Sequence, residues 1–235
     1  VLFVGPVEGE VASGEHGMGR MADPESVLAH VIRRLTPQDL DGRNLIVTAG
    51  PTVEDLDPVR FVSNRSSGKM GFWLAERAAL RGANVTLIAG PVTLATPPFV
   101  RRLDVRSALE LRAALQASLG KGQKGADAVL MCAAVGDFRS EKPASAKLKR
   151  GKLAGLTVTW VQNPDILAEL GEHQRKEHPL LVGFAVETGT DAEIVAHARG
   201  KLRSKRVDLV VANPAAESMG RDDNRVIVVD ERRVE

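Results

Sequence analysis

NLIVTAGPTVEDLDPVRFVSNRSSGKMGFWLAERAALRGANVTLIAG, residues 44–90, sets the fold class. A β-branched run at 44–49 ends in Gly50-Pro51, a long polar segment follows, a helical stretch occupies 69–81, and a second apolar run begins at Asn84. Apolar runs too short for helices, separated by helical stretches, are the pattern of a parallel sheet with crossover helices. The pattern continues: strands are predicted at 44–49, 84–89, 100–105, 128–132, 157–161, 180–185, 208–212 and 225–229, and helices at 69–81, 107–119, 164–174 and 191–205. In the last helix Ile194, Val195, Ala198 and Leu202 recur at helical spacing and mark its buried stripe, while Lys201 and Lys205 stand one turn apart on another face. The expected architecture is α/β: a Rossmann-like, doubly wound, mostly parallel sheet with crossover helices.

Sheets of this kind bind ligands beyond the carboxyl ends of their strands. The polar segments 50–68, 133–152 and 213–224 all fall there, and loops of that length are uncommon without a task. The first forty residues differ. Gly5, Gly9, Gly14, Gly17 and Gly19 punctuate a short run before a helix-like stretch at 24–35, so residues 1–41 read as the tail of a preceding domain plus a linker, and 42–235 as the main domain. The start at Val1 fits a processed or excised piece of a longer chain.

Composition removes several function classes. Thirty-two Lys and Arg against 30 Asp and Glu leave a net charge of +2, which calls for no polyanionic partner, and 3% aromatic residues without a tyrosine offer few platforms for single-stranded bases. Nucleic acid and membrane are therefore not expected partners, since no apolar run of 18 residues is present either. The single Cys132 cannot form an internal disulfide, which points to a soluble protein of a reducing compartment, the cytoplasm. Its place at the end of an apolar strand, without a neighbouring base, argues against a nucleophile.

The segment Ser63-Asn64-Arg65-Ser66-Ser67-Gly68-Lys69-Met70-Gly71 leads into the first crossover helix. Free N–H groups at a helix start attract anions, so Ser63, Ser66, Ser67, Gly68 and Lys69 make a candidate phosphate loop; an ordinary capped helix start is the alternative. Two named motifs fail. Walker A needs Gly at 63 and Ser or Thr at 70, where Ser and Met stand, and of the dinucleotide fingerprint only Gly68-x-x-Gly71 survives, some twenty residues late. A nicotinamide dehydrogenase is disfavoured.

The string DPVRFVSNRSSGKMG (57–71), followed in order by GANVTLIAGPV, CAAVGDFR, KLKR, NPDIL and LLVGFAVET, resembles the phosphopantothenate-cysteine ligase family from about Gly42 to Asp230. The resemblance implies that a 4'-phosphopantothenate carboxylate attacks the α-phosphate of a nucleotide, releasing pyrophosphate, and that L-cysteine then displaces the nucleotide from the acyl group. It also implies a homodimer. Residues 4–24 look like the end of the flavin-dependent decarboxylase that precedes the ligase in bacterial fused proteins, which implies CTP as the nucleotide; the residues alone do not choose the base. Ser13 stands where that partner carries its proton-donating cysteine, so no decarboxylation and no FMN are expected on this chain. The end at Glu235 comes earlier than the family's final strand and helix lead one to expect.

Joining two anions requires cations to cancel their repulsion. Arg60, Lys69, Lys147, Lys149, Arg150, Lys201 and Lys205 are candidates, each with a solvated surface charge as its alternative. By resemblance, Lys147, Lys201 and Lys205 match positions that contact the triphosphate. Asp137 follows a run of small residues that lets backbone approach a ligand, and an aspartate there can hold Mg²⁺ beside phosphate oxygens, or simply cap its own turn. The resemblance assigns Asp137 to nucleotide or metal contact and Met131, Cys132 and Ala133 to backbone contact with the nucleotide. Pro164, Asp165, Ile166 and Leu167 open a helix with Asn163 as a plausible N-cap, and Phe184 alone would read as core; in the family both segments border the base. Asn64 and Arg60 are the residues expected to carry the chemistry. An amide can donate to the oxyanion of a tetrahedral intermediate, a guanidinium offers a fork for a carboxylate or phosphate, and the resemblance ties both to acyl-nucleotide conversion. No histidine falls in a motif. A noncatalytic nucleotide-binding module left from a larger assembly is the competing reading.

Overall fold

The computed structural model describes residues 2–11, 13–123, 125–149, 155–172, 179–218 and 223–235. Strands β1 (Val7–Glu10) and β2 (His16–Arg20) form an antiparallel hairpin, followed by helix α1 (Pro24–Leu35), with proline at its first position where the missing N–H costs nothing. The main body then runs β3 (Asn44–Ala49), β4 (Val53–Asp55), β5 (Phe61–Ser63), α2 (Lys69–Leu80), β6 (Asn84–Ala89), β7 (Val100–Asp104), α3 (Ala108–Leu119), β8 (Ala128–Met131) and β9 (Phe138–Ser140). It continues with β10 (Trp160–Gln162), α4 (Ile166–Glu172), β11 (Leu180–Glu187), α5 (Asp191–Lys205), β12 (Leu209–Pro214), α6 (Ala215–Ser218) and β13 (Ile227–Val229).

Among the described residues, seven strands form one sheet in the order β13-β12-β11-β8-β3-β6-β7, all parallel except β13. This is the doubly wound α/β sheet expected from the sequence. The chain winds outward from β3 through β6 to β7, then returns to the other side of β3 with β8. The winding therefore reverses between β3 and β8, and the carboxyl ends of strands at such a switch point are the place where these sheets bind ligands.

Each face of the sheet has its own core. On one, Ile46, Val129, Leu181 and Val210 pack with Leu111 and Leu115 of α3 and with Ile194, Ala198 and Leu202 of α5, the predicted stripe of that helix. On the other, Val47 and Leu87 meet Phe72, Ala75 and Ala79 of α2. Gly71 permits this second contact: a Cβ there would lie 2.5 Å from the Ala49 Cβ and 3.0 Å from the Thr48 carbonyl oxygen. None of the described helices is long and apolar enough to cross a membrane.

Three expectations need correction. The run at 157–161 is not a strand of the main sheet; β10 starts at Trp160 and pairs antiparallel with β9. Central parallel strands are buried on both faces, whereas Thr157, Thr159 and Trp160 are exposed, so this run suits a ribbon above the sheet. The last strand shortens to 227–229. Helix α4 starts at Ile166, and the Asp165 side chain, not Asn163, accepts from the N–H of Ala168 at its start. The predicted end of that helix at 173–174 and Arg150 lie outside the described residues.

Candidate functional site

The loops leaving β3 and β8 are sewn together by backbone and threonine hydroxyls. Thr48 Oγ1 accepts from the Ala133 N–H at 3.1 Å and Thr52 Oγ1 from the Gly136 N–H at 2.9 Å, both threonines being fully buried. The Thr52 N–H donates to the Ala134 carbonyl and the Ala134 N–H to that of Gly50. The small residues 132–136 thus form a fixed shelf at the switch point. Cys132 sits within it, and burial pushes its thiol up to about 12, far from a thiolate at neutral pH.

One cleft, of about 540 Å³, opens beside this shelf. Its lining brings together Met131 and Ala133, the segment 135–138, the entry to α4 from Pro164 to Leu167, Phe184 of β11, and Lys201 and Lys205 of α5. Phe184 is therefore a lining residue and only partly buried. Lys201 Nζ donates to the Phe184 carbonyl at 3.4 Å, and Lys205 Nζ is bonded to Asp165 Oδ2. Burial works to raise the pKa of Asp165, but the bonds from Lys205 and the Ala168 N–H, with the charges of both lysines, outweigh it and hold the carboxyl below its usual range. Asn163 donates from its amide to the Gly136 carbonyl at 2.8 Å and receives Arg139, which ties α4 to the shelf.

A second cavity, of about 520 Å³, lies across the same segment: Gly136, Asp137 and Phe138 line both spaces. Its other walls are Glu54, Val62, Ser63, Asn64 and Trp160. Asn64 Nδ2 donates to the carbonyls of Ala134 at 3.1 Å and Val135 at 3.2 Å, and Ser63 Oγ donates to the Thr52 carbonyl at 2.8 Å. The Asp137 carboxylate stands exposed where the two linings meet, with no side-chain partner among the described residues.

The rest of the predicted phosphate loop lies apart from both spaces. Ser66 Oγ accepts from the Gly68 N–H and Ser67 Oγ from the Lys69 N–H, each at 3.4 Å, so the serines serve the start of α2 themselves. Gly68 is left-handed, with φ 77°, and packs on Gly50: a Cβ there would meet Gly50 atoms at 3.3 Å. Arg60 is also engaged. Its Nη2 donates to Asp57 Oδ2 and to the Leu148 carbonyl, both at 2.6 Å. Asp57 Oδ2 accepts the Leu148 N–H as well, and Oδ1 accepts the N–H groups of Val59 and Arg60. Lys147, exposed, is carried on this clasp beside Leu148 rather than in a cleft wall. Sequence reasoning passed over Asp57, Thr52, Glu54 and Trp160. Only Asp57 carried a local signal, since an aspartate starting Asp-Pro-x-Arg bonds the backbone two and three residues on.

The cleft thus lies at the switch point, where sheets of this kind bind ligands, and two lysines line it. Residues 40–235 match the DNA/pantothenate metabolism flavoprotein C-terminal domain family, and the chain belongs to it. It is 46% identical over 221 residues to the Coenzyme A biosynthesis bifunctional protein CoaBC of Escherichia coli (strain K12), covering 92% of this chain and 52% of that protein. The protein of the same name from Vibrio cholerae is 42% identical over 227 residues, covering 95% and 55%. The chain thus spans about half the length of the curated relatives it matches. Among solved structures, the C-terminal domain of Coenzyme A biosynthesis bifunctional protein CoaBC superposes with a TM-score of 0.67 at 34% identity, covering 83% of this chain and 86% of that one. The family expected from the ordered sequence motifs is the family found.

Proposed function

We propose that this domain joins 4'-phosphopantothenate to L-cysteine through an acyl-cytidylate. The observation that carries the reading is that two clefts, one bearing lysines, share the wall Gly136-Asp137-Phe138. A nucleotide in the first would present its α-phosphate at that wall, and an acyl substrate in the second would meet it there. A carboxylate oxygen attacks the α-phosphorus, an O–P bond forms, and pyrophosphate leaves. The cysteine nitrogen then attacks the acyl carbon, CMP departs with the bonding pair, and the nitrogen sheds its proton.

Roles follow from position. Lys201 and Lys205 carry positive charge into the nucleotide cleft, Pro164 to Leu167 and Phe184 flank the base, and Met131 to Ala133 offer backbone. Lys147 approaches from the loop clasped by Asp57 and Arg60. Asn64 sits at the shelf with its amide on the Ala134 and Val135 carbonyls, and it exchanges those bonds for the oxyanion when substrate enters. Arg60 holds its fork within reach of Leu148 and orders that loop. Asp137, exposed where the two linings meet, would hold Mg²⁺ that arrives on phosphate oxygens, since Mg²⁺ needs few protein carboxylates. When bound, Mg²⁺ supplies charge neutralisation of the phosphates.

The same reading makes residues 1–41 the tail of a flavin-dependent decarboxylase domain plus linker, places the protein in the cytoplasm, and makes it a homodimer. The exposed stripe Leu28, Val31, Ile32 and Leu35 of α1, with Leu35 80% exposed, supports a neighbour for that tail.

Purified protein given MgCTP, 4'-phosphopantothenate and L-cysteine is expected to release pyrophosphate and CMP in equal amounts. CTP binding without pyrophosphate would instead favour a noncatalytic nucleotide-binding module.

A further inference from the structure

The cavity across the wall differs in charge from the lysine-bearing cleft. Its lining contains two carboxylates, Glu54 and Asp137, an amide and a hydroxyl from Asn64 and Ser63, apolar surface from Val62, Phe138 and Trp160, and no lysine or arginine. The paired carboxylates of Glu54 and Asp137 make their part of this space favourable for a cationic group.

Glu54 is the unusual member. It lies on the short strand β4, where alternation sends its neighbour Asp55 outward to a fork-to-fork pair with Arg106 and turns Glu54 inward. Glu54 is only 4% exposed, yet it pairs with no cation among the described residues. Its Oε1 accepts from the N–H of Ala108, the first residue of α3, at 2.9 Å. Among the described residues that is the carboxylate's sole hydrogen bond. Oε2 is not sealed away unsatisfied, so it faces the space it lines. A buried carboxylate fixed by one oxygen, with the other turned to a cavity, is preorganised to receive a charged donor.

We propose that Glu54 binds the ammonium group of the amino-acid substrate as it enters, before that group gives up a proton to solvent and attacks the acyl carbon as the free amine, and thereby selects an amine-bearing thiol over one that lacks the amine. This rests on the ligase reading above. Asp137, at the junction, is left for the nucleotide side, and the α3 helix start holds Glu54 in place.

The test is the Glu54→Gln variant, which keeps the shape and an oxygen for the Ala108 N–H but removes the charge. The KM for cysteine is expected to rise on the order of 10- to 100-fold, the worth of a hydrogen bond to a charged group, with kcat little changed. Pyrophosphate formation from MgCTP and 4'-phosphopantothenate without cysteine should change far less than the KM for cysteine. An unchanged KM for cysteine overturns the proposal, and so does an equal fall in both half-reactions, the signature of a purely structural cap. Should the variant not fold, the wild type decides. Cysteamine, which keeps the amine, is expected to compete with cysteine, and 3-mercaptopropionate, which lacks it, is not; equal competition by the two overturns the assignment. Wild-type protein that makes no pyrophosphate at all brings down the ligase reading and this inference with it.

Discussion

Asp57 and Leu148, 91 residues apart, are joined by a hydrogen bond of 3.0 Å from the Leu148 N–H to a carboxylate that is fully shielded from solvent. Arg60 completes the clasp by bonding both the Asp57 carboxylate and the Leu148 carbonyl. The polar turn after β4 and the Lys147 segment are therefore tied together.

Asp57→Asn should loosen that piece. The Arg60 guanidinium, with the N–H groups of Leu148, Val59 and Arg60, holds the Asp57 carboxyl well below the usual carboxylate range. The stability this contributes is fully present above the unfolded aspartate pKa of about 3.9 and is lost as pH falls below it toward the folded value. The Tm gap between wild type and Asp57→Asn is expected to be widest at neutral pH and to narrow at pH 3. A gap independent of pH would contradict the clasp.

Asn64→Ala is expected to leave CTP affinity in place and to slow the second half-reaction by roughly 10²–10³, the usual cost of losing one oxyanion donor, so that acyl-cytidylate accumulates. Rapid-quench analysis of the intermediate measures this. Loss of CTP affinity would confine Asn64 to bracing the Ala134–Val135 shelf.

Lys201→Ala and Lys147→Ala should each weaken CTP binding, on the order of tenfold for a lost charged hydrogen bond, as read by calorimetric titration. Nucleotide affinity unchanged in either variant would return that lysine to the solvated surface.

Gly71→Ala should destabilise the fold by about 1–3 kcal/mol, because the added methyl meets the Ala49 Cβ and the Thr48 carbonyl where α2 lies against β3. Urea unfolding at neutral pH checks it, and a neutral result would mean that α2 can shift outward freely.

The sheet was legible because each central strand is a short, mostly apolar and β-branched run and α5 has a clean stripe at Ile194, Ala198 and Leu202. The ribbon β9-β10 was not, because Trp160 and its neighbours have strand propensity yet only tertiary exposure tells a ribbon from a central strand. Asn163 and Asp165 are both good caps, and the choice between them depends on Asn163 being drawn to Gly136, a contact 27 residues away. Of the motif residues, Met131, Ala133, Pro164 to Leu167, Phe184, Lys201 and Lys205 come together in one cleft, while Ser66 and Ser67 accept N–H groups at the start of α2. Glu54 left no trace in the sequence, since its burial comes from β4 packing beside α3 and β9.

The account is tested most directly by following both products while cysteine is withheld and then added. With MgCTP and 4'-phosphopantothenate alone, pyrophosphate should appear to no more than one equivalent per active site and CMP should not. Addition of cysteine should then release CMP and restore turnover. CMP that appears without cysteine, or pyrophosphate that appears only with it, would contradict an acyl-cytidylate held between the two clefts.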